Sequence, residues 1–161
     1  MVEELIATLH DEREALRTLA RRFQAQLDIL RQHNLDGLED ATLATSAAVS
    51  QLDRLTQARV RQTRLVGRLL GLEGTPDLAK IAEAVRARGP HEDLHRRLLD
   101  LRQTIRAETE ATKQLSEELE YALQYAAALG REMIAFLRGA TASPPAQVYT
   151  GSGQSPNPDK D

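Results

Sequence analysis

At 161 residues with a net charge of −3, the chain is sized for one domain and lacks the basic excess of a nucleic-acid surface. Hydrophobic residues make up 41% but aromatics only 3%, so a core must be built from Leu, Ala, Ile and Val. Cysteine is absent, which excludes disulfides, thiolate nucleophiles and cysteine-ligated metals. No stretch approaches the ~18 continuous apolar residues of a membrane span. Glu3 and Glu4 precede any apolar run, unlike a secretory leader, so a cytoplasmic protein without membrane insertion is expected.

The first expected helix runs over about 2–33. Val2, Leu5, Leu9, Leu16, Leu19, Phe23 and Leu30 form a heptad-like stripe, interrupted by Glu12 and Gln26. Asn34-Leu35-Asp36-Gly37 then supplies turn residues. The second helix is expected over about 38–70. Its stripe is Leu38, Ala41, Ala48, Leu52, Leu55, Val66 and Leu69, with Thr45, Arg59 and Gln62 as polar members, and Gly71 terminates it. Two helices of nearly equal length joined by a short turn predict an antiparallel hairpin. Thr75-Pro76 reads as an N-cap followed by a first helical residue, opening a short linker helix over about 76–88 through Leu78, Ile81, Ala82 and Val85. Pro90 opens the last helix, about 90–138, where Leu94, Leu98, Leu101, Ile105, Leu115, Leu119, Ala122, Ala126, Leu129, Met133 and Phe136 keep a 4–3 spacing. Glu108 and Thr112 break that series. Ser143-Pro144-Pro145 and the glycines, serines and prolines that follow predict a disordered tail over 140–161. The expectation is an all-α chain: residues 1–139 as an antiparallel, coiled-coil-like bundle of three long helices with a short linker helix, then the flexible tail.

Length matching gives this bundle a register. Leu69 should lie near Leu94 or Leu98, and Leu38 near Ala126. Glu12, Arg59 and Glu108 fall at one height, a polar layer in which Arg59 meets one or both carboxylates or all three stay solvated. At about 1.5 Å per residue the last helix overshoots the hairpin by several turns. The overshoot carries Leu129, Met133, Ile134, Phe136 and Leu137. An apolar stripe without an internal partner calls for a protein partner, the alternative being that the overshoot packs on the short 76–88 helix or frays.

His91-Glu92-Asp93-Leu94-His95 matches H-E-x-x-H, in which two histidines one turn apart share zinc and the Glu acts as base. Here it sits at the first turn of a helix, with no strand pattern to shape a substrate cleft. An ordinary acidic helix start is the better reading. No catalytic residue, metal or cofactor is therefore assigned. Tyr121 and Tyr125 are read as packing or rim residues.

The assembled chain resembles the FlgN family of flagellar export chaperones over nearly its whole length. The likeness rests on the leucine-rich first helix, the turn Leu35-Asp36-Gly37-Leu38-Glu39, the linker, the long last helix, and a tail with Tyr149 followed by Gly153 and Gln154. The resemblance implies a cytoplasmic, non-enzymatic chaperone for the hook-filament junction proteins, hook-associated proteins 1 and 3. It would prevent their premature assembly and bring them to the cytoplasmic domain of the large membrane component of the type III export gate. Client binding would map to Leu115, Leu119, Ala122, Leu123, Ala126, Leu129 and Met133, and gate docking to Tyr149, Gly153 and Gln154. A chaperone without client can form a homodimer through the same surface. The rival reading is a self-associating coiled-coil scaffold or adaptor.

Overall fold

The computed structural model describes residues 1–33 and 35–141. Its elements are four helices: α1 (Val2–Arg31), α2 (Leu38–Leu69), α3 (Leu78–Ala87) and α4 (Glu92–Thr141). No strand occurs among the described residues. The chain divides into two compact units, Met1–Ala126 and Ala127–Asp161.

Within the first unit, side-chain pairs give the helix directions. Gln26 donates to the Thr42 hydroxyl at 2.9 Å and accepts from Thr45 at 3.0 Å, while Glu12 accepts from Thr56 at 2.9 Å. Later residues of α1 meet earlier ones of α2, so the two run antiparallel. Arg97 reaches Glu3, Arg13 reaches Glu108, and Arg31 reaches Glu118. The start of α4 therefore lies beside the start of α1, and the two run parallel.

The main core sits at the end where α3 packs. Leu5, Ile6 and Leu9 of α1 meet Val66 of α2, Leu78, Ile81, Ala82 and Val85 of α3, and Leu98 and Leu101 of α4. Each such Leu or Ile contributes roughly 1.5–3 kcal/mol by leaving water. Above this cluster the interior becomes mixed, with Glu12, Gln26, Thr45 and Thr112 buried alongside Leu16, Leu19, Leu27 and Leu119. The long helices thus hold a short apolar base and a longer interior of mixed polarity.

The close of α2 is set by two glycines. Gly71 adopts φ 69, and the Leu72 and Gly71 N–H groups bond back to the carbonyls of Gly67 and Arg68 at 2.8 and 3.0 Å. This is a Schellman closure, which needs a left-handed residue after the helix. It turns Leu72 back to pack against the core. Gly67, buried in the last turns, lets the Pro76 ring lie directly on the helix.

Three local expectations are corrected. The linker helix begins at Leu78 with Asp77 as its N-cap residue, not at Thr75-Pro76. The Thr75 hydroxyl accepts from Arg64 at 3.0 Å instead, and the Pro76 ring is occupied against Gly67. The last helix begins at Glu92, two residues after Pro90, because the His91 carbonyl takes the His95 N–H at 3.0 Å and so acts as the cap. Leu69, expected to face inward, is 58% exposed. A strict heptad frame drifts by about 20° per repeat on an α-helix, and by the end of α2 the inward positions are Thr63, Val66 and Gly67.

The Asp77 side chain makes no full capping hydrogen bond, although the Leu78 and Ala79 N–H groups face its carboxylate and help to hold it ionised. Its carboxylate instead receives both Nε and Nη2 of Arg102, at 3.4 and 2.9 Å, which fastens α3 to α4. The Arg102 hydrogen bonds hold Asp77 below the usual carboxylate range. A depressed carboxylate stabilises the fold above its unfolded value and loses that contribution as pH falls through its folded one. Asp77→Asn keeps the shape of the side chain and removes the charge. We expect it to lower stability at pH 7 by no more than about 1 kcal/mol, because the pair is half exposed and screened. The difference from the parent should shrink in urea titrations as pH falls out of the ordinary carboxylate range and through the lowered folded-state value of Asp77. A deficit that persists in acid would mean that packing, not charge, is what the substitution disturbs.

Candidate functional site

Helix α4 carries most of the residues that the sequence marks for binding. Over its first turns Leu98 and Leu101 are buried in the core and Ile105 packs partly against it. The series then meets Glu108, whose Oε1 accepts from Arg13 at 3.1 Å and Arg17 at 3.0 Å. That contact holds the exposed Arg17 more firmly protonated. One turn on, Thr112 is buried and donates to the Glu108 carbonyl at 2.7 Å. The polar step in the heptads is therefore a real feature of the bundle, tied to α1.

Beyond it the candidate residues separate. In the first unit Leu119 is 6% exposed and belongs to the interior, Leu115 and Ala122 are half-buried, and Leu123 and Ala126 are exposed. A leucine with its face already covered is not free to take a partner. Tyr121 and Tyr125 are both exposed, each on the side of α4 away from Leu119. In the second unit Leu129 is 42% exposed and Met133 59%, and Ile134, Phe136 and Leu137 are exposed as well. Tyr149, Gly153 and Gln154, together with the expected disordered tail from residue 142 on, lie outside the described residues, whereas 140 and 141, expected in that tail, close α4.

The H-E-x-x-H residues serve the helix junction. His95 is 8% exposed; its Nε2 lies 3.1 Å from Glu83 of α3 and its Nδ1 3.8 Å from Glu92. His91 is exposed and precedes the helix. Among the described residues, no group of three or more His, Asp or Glu side chains is placed to hold a metal ion. A cleft of about 610 Å³ is lined by Arg59, Thr63, Pro76, Asp77, Arg102 and Ile105, among others. Arg59 and Arg102 are already engaged by Glu12 and Asp77.

The fold is thus that of an all-helical protein, with apolar and charged helix faces as its exposed chemistry. Among the described residues no helix is long and apolar enough to cross a membrane. The chain belongs to the FlgN family, the flagellar export chaperones: the family model, described as FlgN protein, matches residues 1–157. No curated protein and no solved structure matches it.

Proposed function

We propose that this protein binds the hook-filament junction proteins, hook-associated proteins 1 and 3, keeps them from assembling early, and delivers them to the flagellar type III export gate. The observation that carries this reading is the run of exposed side chains Leu129, Met133, Ile134, Phe136 and Leu137 in a chain of the export-chaperone family. Large apolar side chains concentrated in so few residues are rare on surfaces that stay in water. A helical client segment laid against them would have its own apolar face covered in return. Leu129 and Met133 are the proposed anchors. In the first unit Leu123 and Ala126, which are exposed, are the proposed contacts, flanked by Leu115 and Ala122. Leu119 is left to the bundle. Docking to the gate's cytoplasmic domain through Tyr149, Gly153 and Gln154 rests on the family likeness.

The test uses the full chain, purified hook-associated proteins and titration calorimetry. Leu129→Asp combined with Met133→Asp is expected to weaken binding by at least roughly a hundredfold, the effect of losing two anchor residues. Unchanged affinity in a variant of normal helix content removes the assignment. A concentration-dependent dimer that hides both residues, with no affinity for either junction protein, would favour the self-associating scaffold.

A further inference from the structure

The outward face of α2 has a chemistry that the binding role of α4 does not use. Arg54, Arg61 and Arg68 recur at seven-residue spacing, and all three are exposed. Seven residues are nearly two full helical turns, so the three guanidinium groups follow one line about 21 Å long. Leu65, 49% exposed, lies on the same line between Arg61 and Arg68. Between Asp53 and Glu73 the sequence contains five arginines and no carboxylate. Two of the five are used within the unit: Arg59 pairs with Glu12 and Arg64 donates to Thr75. Arg54, Arg61 and Arg68 make no ion pair or side-chain hydrogen bond among the described residues, in a chain where most other arginines do.

We infer that this face of α2 docks an acidic amphipathic helix of a partner protein. That helix carries carboxylates at seven-residue spacing against Arg54, Arg61 and Arg68, and an apolar side chain against Leu65. Charge complementarity selects the sign of the partner, and the spacing selects its form. A helix repeats a side chain along one line every seven residues, as this row does, whereas an extended strand repeats every two. Ala47 and Ser50 continue the exposed face toward the helix start. Being small, they let a second backbone come close. An anionic bilayer fits less well. Interfacial helices bury a broad apolar face rich in Trp, Phe or Leu, and this line holds one leucine between charges and no aromatic residue. The inference is independent of the client surface on α4, because it concerns a different helix and different side chains.

A direct test uses the full chain and a labelled 21-residue helical peptide with Glu at three heptad-spaced positions and Leu between them. The comparison probes are the same peptide with Lys for Glu, and vesicles of phosphatidylcholine and phosphatidylglycerol. Fluorescence anisotropy should show the Glu peptide binding roughly tenfold tighter than the Lys peptide, as expected for three rim ion pairs. The preference should shrink in high salt. The triple variant Arg54→Glu, Arg61→Glu, Arg68→Glu alters exposed positions only; its helix content should match the parent, and its melting should fall only slightly, because Arg68 lies in the last turn of α2 where a carboxylate opposes the helix dipole. It should reverse the order and bind the Lys peptide better. Equal binding of both peptides by the parent overturns the inference. So does a preference that survives in the triple variant, or vesicle binding that depends on the three arginines in the absence of any peptide preference.

Discussion

Replacing Arg59 with leucine is expected to lower the unfolding free energy by about 3 kcal/mol, the lower end of the range for breaking a buried ion pair. Glu12 has only 5% of its side chain exposed. Its two oxygens are satisfied separately: Oε2 accepts from Arg59 Nε at 2.7 Å and Oε1 from the Thr56 hydroxyl at 2.9 Å. Removing Arg59 leaves a carboxylate out of water with one neutral donor. Attraction within the pair is offset in the parent by the desolvation of both ions, so deleting both should be far milder than deleting one. The double variant Glu12→Leu with Arg59→Leu is therefore expected to recover most of the loss and to equal or exceed the parent. Urea unfolding of the four proteins measures this coupling directly. The same proteins test whether the polar layer specifies the register. If it does, the double variant should show mixed oligomers or broadened spectra. A double variant that is more stable, monodisperse and uniquely folded would leave Glu12 and Arg59 without a specifying role.

That pair shows how far a sequence reading extends. Matching helix lengths placed Glu12, Arg59 and Glu108 at one height, and Glu12 does meet Arg59. Height alone does not fix rotation about each helix axis, and Glu108 turns to Arg13 and Arg17 instead. Periodicity likewise located the helices but not all of their inward faces. Ile6 and Leu27, outside the stripe assigned to α1, are buried, while Leu69, inside the stripe of α2, is not. The linker helix was legible from Leu78, Ile81, Ala82 and Val85, all four of which are buried. Its start was not, because Thr75 and Pro76 are diverted by tertiary contacts that no local signal encodes. On α4 the heptad series that runs from Leu115 to Phe136 cannot say where internal partners stop. Leu119 and Leu129 look equivalent in sequence, yet only the first is covered. The arginine row on α2 left a plain trace, the absence of carboxylates from residue 54 to residue 72. It becomes a feature only once the partners of Arg59 and Arg64 are known.

Gly67→Ala is expected to destabilise the protein by about 2 kcal/mol, against the sign that local propensity gives. In an exposed helix interior the same exchange would stabilise by about 1 kcal/mol, through helix propensity and a less flexible unfolded chain. At Gly67 the added Cβ would stand 2.6 Å from Cγ and 2.9 Å from Cδ of Pro76, well inside van der Waals contact. A proline ring cannot rotate aside as a flexible side chain does. Its neighbours are also held, Thr75 by Arg64 and Asp77 by Arg102. Relief requires the start of α3 to move off α2, loosening Leu78 and Val66 in the core, and overpacking of this kind costs about 1–3 kcal/mol. Gly130 is the matched control: it lies in α4 with nothing within 4 Å of an added Cβ, so Gly130→Ala should raise helix content without a penalty. Thermal melts of the two variants should move in opposite directions. Adding Pro76→Ala to Gly67→Ala should recover most of the loss, since it removes the two ring carbons nearest the new methyl group as a rigid unit. If Gly67→Ala melts at or above the parent temperature, the linker does not press on α2 here, and the close of the hairpin must be held by the Leu72 turn and the α3 core contacts alone.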